Sequence, residues 1–107
     1  MSNIFEVVDP QGRTIYCTED QWAQHVLSRR SWMRNKENVV AKAVENPKFI
    51  CQDVDEEDRQ IYYYFPYSKN NLYMKVVVRF NKEDLGEVIT AFPTDSCKPG
   101  EKVLWMP

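Results

Sequence analysis

His25 is the only histidine in the chain, so any proton transfer carried by an imidazole near neutral pH must use it. Trp22, His25, Val26 and Arg29 fall at spacings of three and four, which puts them on one face of a helix. Trp22 and Val26 are expected to point inward, with His25 at the edge of the same stripe. A second group lies in Leu72-Tyr73-Met74-Lys75-Val76-Val77-Val78-Arg79-Phe80. Strand alternation there separates Tyr73, Lys75, Val77 and Arg79 from the apolar set Met74, Val76, Val78 and Phe80. Lys75 and Arg79 on one face could hold a phosphate and stabilise charge on its oxygens. Thr90, opposite in alternation to Ile89 and Ala91, could hydrogen-bond such an oxygen. Among the aromatics of 62–65, 67 and 73, Tyr62 and Tyr64 are candidates for stacking unpaired bases, whereas Tyr63 and Phe65 read as core. Each residue also has a plainer reading: a half-buried helix histidine, solubilising strand charges, and a threonine chosen for strand propensity.

Other chemistries are excluded by their missing parts. Five acids fall within Asp53–Asp58, but counted from Asp53 the sixth position is Asp58 and the twelfth is Tyr64, where a calcium-binding EF-hand needs Gly and Glu. With three glycines in the chain there is no phosphate-cradling loop, and no nucleophile elbow is present. Cys17, Cys51 and Cys97 are odd in number, widely spaced and without a CxxC pair, which predicts packed, reduced thiols with neither a disulfide framework nor a metal site. No cofactor is expected.

The elements that must position these side chains follow from the same patterns. Residues 4–8 and 14–17 flank Asp9-Pro10-Gln11-Gly12 and read as a hairpin. Thr18-Glu19-Asp20-Gln21 matches a capping box, with Gln21 reaching back to the cap, and predicts a helix over 19–28. Val39, Val40, Ala43 and Val44 predict a second helix over 35–45, stopped by Asn46-Pro47. From Phe49 the pattern changes to strands at 49–52, 61–65, 72–80 and 86–92, with 103–105 as an edge piece. Helices first and strands afterwards predict an α+β fold, two N-terminal helices packed on one face of an antiparallel sheet.

At 107 residues and 43% hydrophobic the chain is expected to form a single domain, 1–107, with a real core. The net charge of -2 argues against non-specific coating of nucleic acid. Seven basic residues against four acidic ones between Arg13 and Lys48 leave room for a local anion site. No segment approaches the roughly 20 apolar residues of a membrane span, and the first residues lack a signal-peptide pattern. A cytoplasmic protein with no membrane partner is expected.

Taken in order, Asp9-Pro10-Gln11-Gly12-Arg13, Thr18 with Trp22-x-x-His25-Val26, Ile61-Tyr62-Tyr63-Tyr64, Lys75-Val76-Val77-Val78-Arg79, Val88-Ile89-Thr90-Ala91-Phe92 and Lys98-x-Gly100-Glu101-x-x-Leu104-Trp105 resemble the phage-associated barnase/EndoU/colicin/RelE-like (BECR-fold) nuclease family. The resemblance runs nearly end to end. It implies a BECR-type RNase fold and a metal-independent endoribonuclease, toxin-like or RNA-processing, acting on tRNA or mRNA, with a cognate antitoxin or immunity protein as partner. It also implies catalytic roles for His25, Arg79 and Thr90, with Lys75, Tyr62 and Tyr64 binding substrate. Arg30-Ser31 stands where the family pattern has His-Pro, and Tyr64 where it has a basic residue. These departures open a second reading, an inactive copy of the fold that binds RNA or protein.

Overall fold

The computed structural model describes residues 2–67 and 69–107. Its first turn is organised by Asp9, whose Oδ1 accepts the backbone N–H groups of Gln11 (3.0 Å) and Arg13 (2.8 Å). Gly12 takes φ +80°, a backbone state that costs glycine nothing. The turn closes β1 (Asn3–Val8) antiparallel onto β2 (Thr14–Thr18). Thr18 then caps α1 (Glu19–Gln21), its hydroxyl accepting the Gln21 N–H at 3.0 Å. The helix passes at once into wide π-type turns over Trp22–Leu27. A 3-10 turn at Ser31–Met33 and α2 (Glu37–Glu45) follow. The rest is strand: β3 (Phe49–Gln52), β4 (Arg59–Tyr64), β5 (Tyr73–Lys82), β6 (Leu85–Thr94) and β7 (Lys102–Trp105).

The seven strands among the described residues belong to one mixed sheet, in the order β1-β2-β6-β5-β4-β3-β7. Of the described residues, 43% are strand and 20% helical. This overturns the expected α+β fold of two N-terminal helices packed on one face of an antiparallel sheet, and with it the BECR-type RNase fold. The N-terminal hairpin joins the sheet instead of standing apart, because β2 runs parallel to β6 through Thr14↔Leu85, Ile15↔Gly86 and Tyr16↔Glu87. Gly86 permits that close approach: a Cβ there would meet Val78 Cγ1 at 2.6 Å and Ile15 Cδ1 at 3.0 Å. The helical segments are correspondingly short.

The two faces of the sheet are covered differently. Beneath the helices, Ile15, Ile50, Tyr62, Met74, Val76, Val78, Val88 and Ala91 pack with Trp22, Val26, Met33, Val40, Ala43 and Val44. On the second face, Cys51, Ile61, Tyr63 and Val77 form a smaller cluster with Phe49, Tyr73, Ile89 and Cys97 at its margin. A strap covers it. β6 ends at Thr94, opposite Tyr73, whereas β7 begins at Lys102, opposite Gln52 at the far end of the sheet. The connection 95–101 therefore crosses this face, fastened where Tyr63 Oη donates to Glu101 Oε1 at 2.5 Å.

Candidate functional site

The site is built where the helical segment meets β6. Register shifts between Val77 and Val78 on β5, so β6 bulges at Ile89 and frees backbone groups from the ladder. Gln21, expected to reach back to its own cap, reaches across instead, its Nε2 donating to the Ile89 carbonyl at 2.8 Å. One residue further, Thr90 Oγ1 donates to the His25 carbonyl at 3.2 Å, satisfying an acceptor that the end of a helix leaves without an internal partner. These two bonds pin the π-type turn to the strand. Trp22 and Val26 are buried, at 3% and 1% exposed, while His25 is solvent-exposed.

The cations lie one row further along β6. Phe92 pairs with Lys75 across the strands, as Thr90 pairs with Val77. The Arg30 guanidinium sits 4.2 Å from the Phe92 ring centroid and Lys75 Nζ 5.7 Å from it. Both distances fall within cation–π reach, so one ring gathers two positive charges. Lys75 also faces Glu101 Oε2 at 3.8 Å, whose side chain is only 2% exposed. That carboxylate further accepts the Lys98 N–H at 3.1 Å. Burial, and then the hydrogen bond to Glu101, hold the Tyr63 phenol protonated well above its usual range.

Arg79 occupies the same face of β5 but is already engaged. Its Nη2 donates to Glu87 Oε1 at 3.0 Å, the residue directly opposite it on β6. Tyr16 stands beside this pair, across from Glu87 on β2, and its phenol is pushed up by burial and by the Glu87 charge, with Arg79 opposing.

Tyr62 and Tyr64 lie on the other, helix-covered face. Tyr62 is 0% exposed, and its hydroxyl donates to Asp9 Oδ2 at 2.5 Å while accepting from Arg13 Nη2 at 3.1 Å. Its ring is therefore not open to a base. Tyr64, opposite Met74, is half-buried against the same core. Of the sequence-predicted site residues, the structure thus brings the His25 backbone, Thr90 and Lys75 to one side, adds Arg79 four positions beyond Lys75 on β5, and separates Tyr62 and Tyr64. It adds Arg30 and Phe92. Alternation with Thr90 could have found Phe92; Arg30 depends on the turn after Leu27, for which residue spacing gives no sign.

Among the described residues no three His, Cys, Asp or Glu side chains come together as a metal-binding group. The acidic run surrounds a depression lined by Gln52, Asp53, Val54, Asp55, Glu56 and Glu57, but its two aspartates there already have partners within the chain. Asp53 Oδ2 accepts the N–H groups of Asp55 (3.0 Å) and Glu56 (2.8 Å), and Asp55 pairs with Lys98 at 3.0 Å. No described helix is long and apolar enough to cross a membrane. No family model, curated protein or solved structure matches the chain.

Proposed function

We propose that the chain cleaves RNA: His25 takes the proton of the ribose 2′-hydroxyl as its oxygen bonds to the adjacent phosphorus, the bond from phosphorus to the 5′-oxygen breaks, and solvent gives the leaving 5′-oxygen its proton. The observation that carries this reading is the solvent-exposed His25 on a turn tied by Thr90 to the strand face where Lys75 and Arg30 flank Phe92. The reaction needs a proton-transfer group and cations for the crowded phosphate. In this scheme Arg30 and Lys75 take the non-bridging oxygens. Thr90 holds the turn that carries His25, and a lone pair of its hydroxyl stays free to accept. Arg79, further along β5, is neutralised in its pair with Glu87 and reaches a phosphate only by leaving that pair. The chemistry asks for no divalent metal and no cofactor. The resemblance of the ordered motifs to phage-associated nucleases supports a toxin-like or RNA-processing role in the cytoplasm, on tRNA or mRNA, with an antitoxin or immunity protein as the matching partner.

A second reading, an inactive module that grips RNA, is favoured by one observation: the Thr90 proton and the Arg79 guanidinium already have partners within the chain. Incubation of the purified protein with total RNA in EDTA separates the two. Cleavage that leaves 2′,3′-cyclic phosphate ends and disappears in His25→Ala supports the nuclease. RNA binding without cleavage, unchanged in His25→Ala, supports the module. Cleavage that survives His25→Ala removes the imidazole from the scheme.

A further inference from the structure

Glu101 sits where a phosphate site should have no anion. Its side chain is 2% exposed. One carboxylate oxygen is held by the Tyr63 hydroxyl at 2.5 Å and the Lys98 N–H at 3.1 Å. The other, Oε2, is buried without a hydrogen-bond partner and lies 3.8 Å from Lys75 Nζ. A buried carboxylate oxygen left without a hydrogen bond is a costly arrangement, and here it faces the Lys75 ammonium. Arg30, by contrast, has no carboxylate within ion-pair distance among the described residues.

We infer that Glu101 is an electrostatic latch on the phosphate site: carried by the strap, its carboxylate holds Lys75 until an incoming phosphodiester takes that cation over. This rests on the RNA reading above and names the regulation of the same site. Ligand binding exchanges one anion for another at Lys75 and leaves Glu101 to Tyr63 and the Lys98 N–H. The latch lowers affinity for every anionic ligand and favours those that also engage Arg30.

The test measures the Kd of a fluorescein-labelled, single-stranded RNA ten-mer at low salt. Glu101→Gln keeps the size of the side chain and removes its charge, and should tighten binding about three- to tenfold. Lys75→Met should weaken it, and the double variant should bind no better than Lys75→Met alone, because the gain passes through Lys75. Tyr63→Phe removes the hydroxyl that keeps Glu101 when Lys75 is released, so it should weaken binding, the opposite direction to Glu101→Gln, and it carries the test where Glu101→Gln does not fold. Unchanged or weaker binding by a folded Glu101→Gln, or unchanged or tighter binding by a folded Tyr63→Phe, overturns the latch, as does a gain that persists in the double variant. Inorganic pyrophosphate serves as a second probe. Absence of RNA binding with the charge response to pyrophosphate intact ends the RNA reading and supports the latch; no response to either probe overturns the latch.

Discussion

Replacing Tyr62 by Phe removes one hydroxyl and leaves the ring. In the structure that hydroxyl is a strong donor, 2.5 Å from Asp9 Oδ2, and an acceptor for Arg13 Nη2 at 3.1 Å. Its loss does not orphan its partners. Asp9 keeps Arg13 Nε at 2.9 Å and two backbone N–H groups, and Arg13 keeps Gln60 Oε1 at 3.0 Å. The cost is therefore that of a charge-assisted hydrogen bond, about 2 kcal/mol, or roughly 10 °C in the thermal midpoint of a domain this size. Asp9→Ala should cost more, about 3–5 kcal/mol, because it leaves the Arg13 charge without its buried partner. Circular dichroism melts of the two variants give the ordering, and RNA binding by Tyr62→Phe should match the wild type. An unchanged midpoint together with weakened RNA binding would show that the Tyr62 hydroxyl faces substrate rather than Asp9.

Stability should fall as pH rises above about 9. Burial pushes the Cys17 thiol up to about 12 and the Cys51 thiol up to about 11, from 9.0, so the folded state keeps protons that the unfolded chain releases. This contribution is whole below pH 9 and is lost as pH rises through the folded values; urea titrations at pH 8 and pH 10.5 should differ, and Cys17→Ala should flatten the slope. Gly86→Ala should destabilise by about 2 kcal/mol, since its Cβ meets the stiff Val78 side chain at 2.6 Å; a chemical melt with an unchanged midpoint would refute that packing of β5 against Gly86. Arg79→Ala should leave stability within about 1 kcal/mol, its side chain being 38% exposed in the pair with Glu87. It should weaken RNA affinity a few-fold and shallow the salt dependence, and a cleavage defect at saturating RNA would instead place Arg79 at the scissile phosphate.

Local pattern was legible wherever one periodicity ruled. The strand expected at 49–52 is β3 (Phe49–Gln52), and alternation correctly assigned Met74, Val76 and Val78 to the core beneath the helices. Trp22 and Val26 point inward with His25 outside them, as helical spacing implied. The first helix nevertheless departs from α geometry after Gln21, because its side chains must meet β6 while Gln21 and Thr90 bind across to the strand. Tyr62 was misread for a related reason. Its neighbours Ile61 and Tyr63 are as buried as it is, and a strand covered on both sides shows no polar alternation from which to choose a face. The parallel pairing of β2 with β6 was invisible too, since it joins residues some seventy positions apart.

The strap ties these failures to the location of the site. Because 95–101 crosses the second face to reach β7 at the edge of the sheet, it closes the half made by β3 and β4, where Cys51, Ile61 and Tyr63 are at most 2% exposed. The half made by β5 and β6 stays partly open, with Lys75, Arg79, Thr90 and Phe92 all half-buried. The helical turn bearing His25 docks along β6 on that open side, pinned by the bulge at Ile89. Chemistry on this face is thereby confined to the strip between the strap and the helix. Glu101 enters the strip from one side and Arg30 from the other, so the contest for Lys75 between carboxylate and phosphate follows from the topology of the sheet.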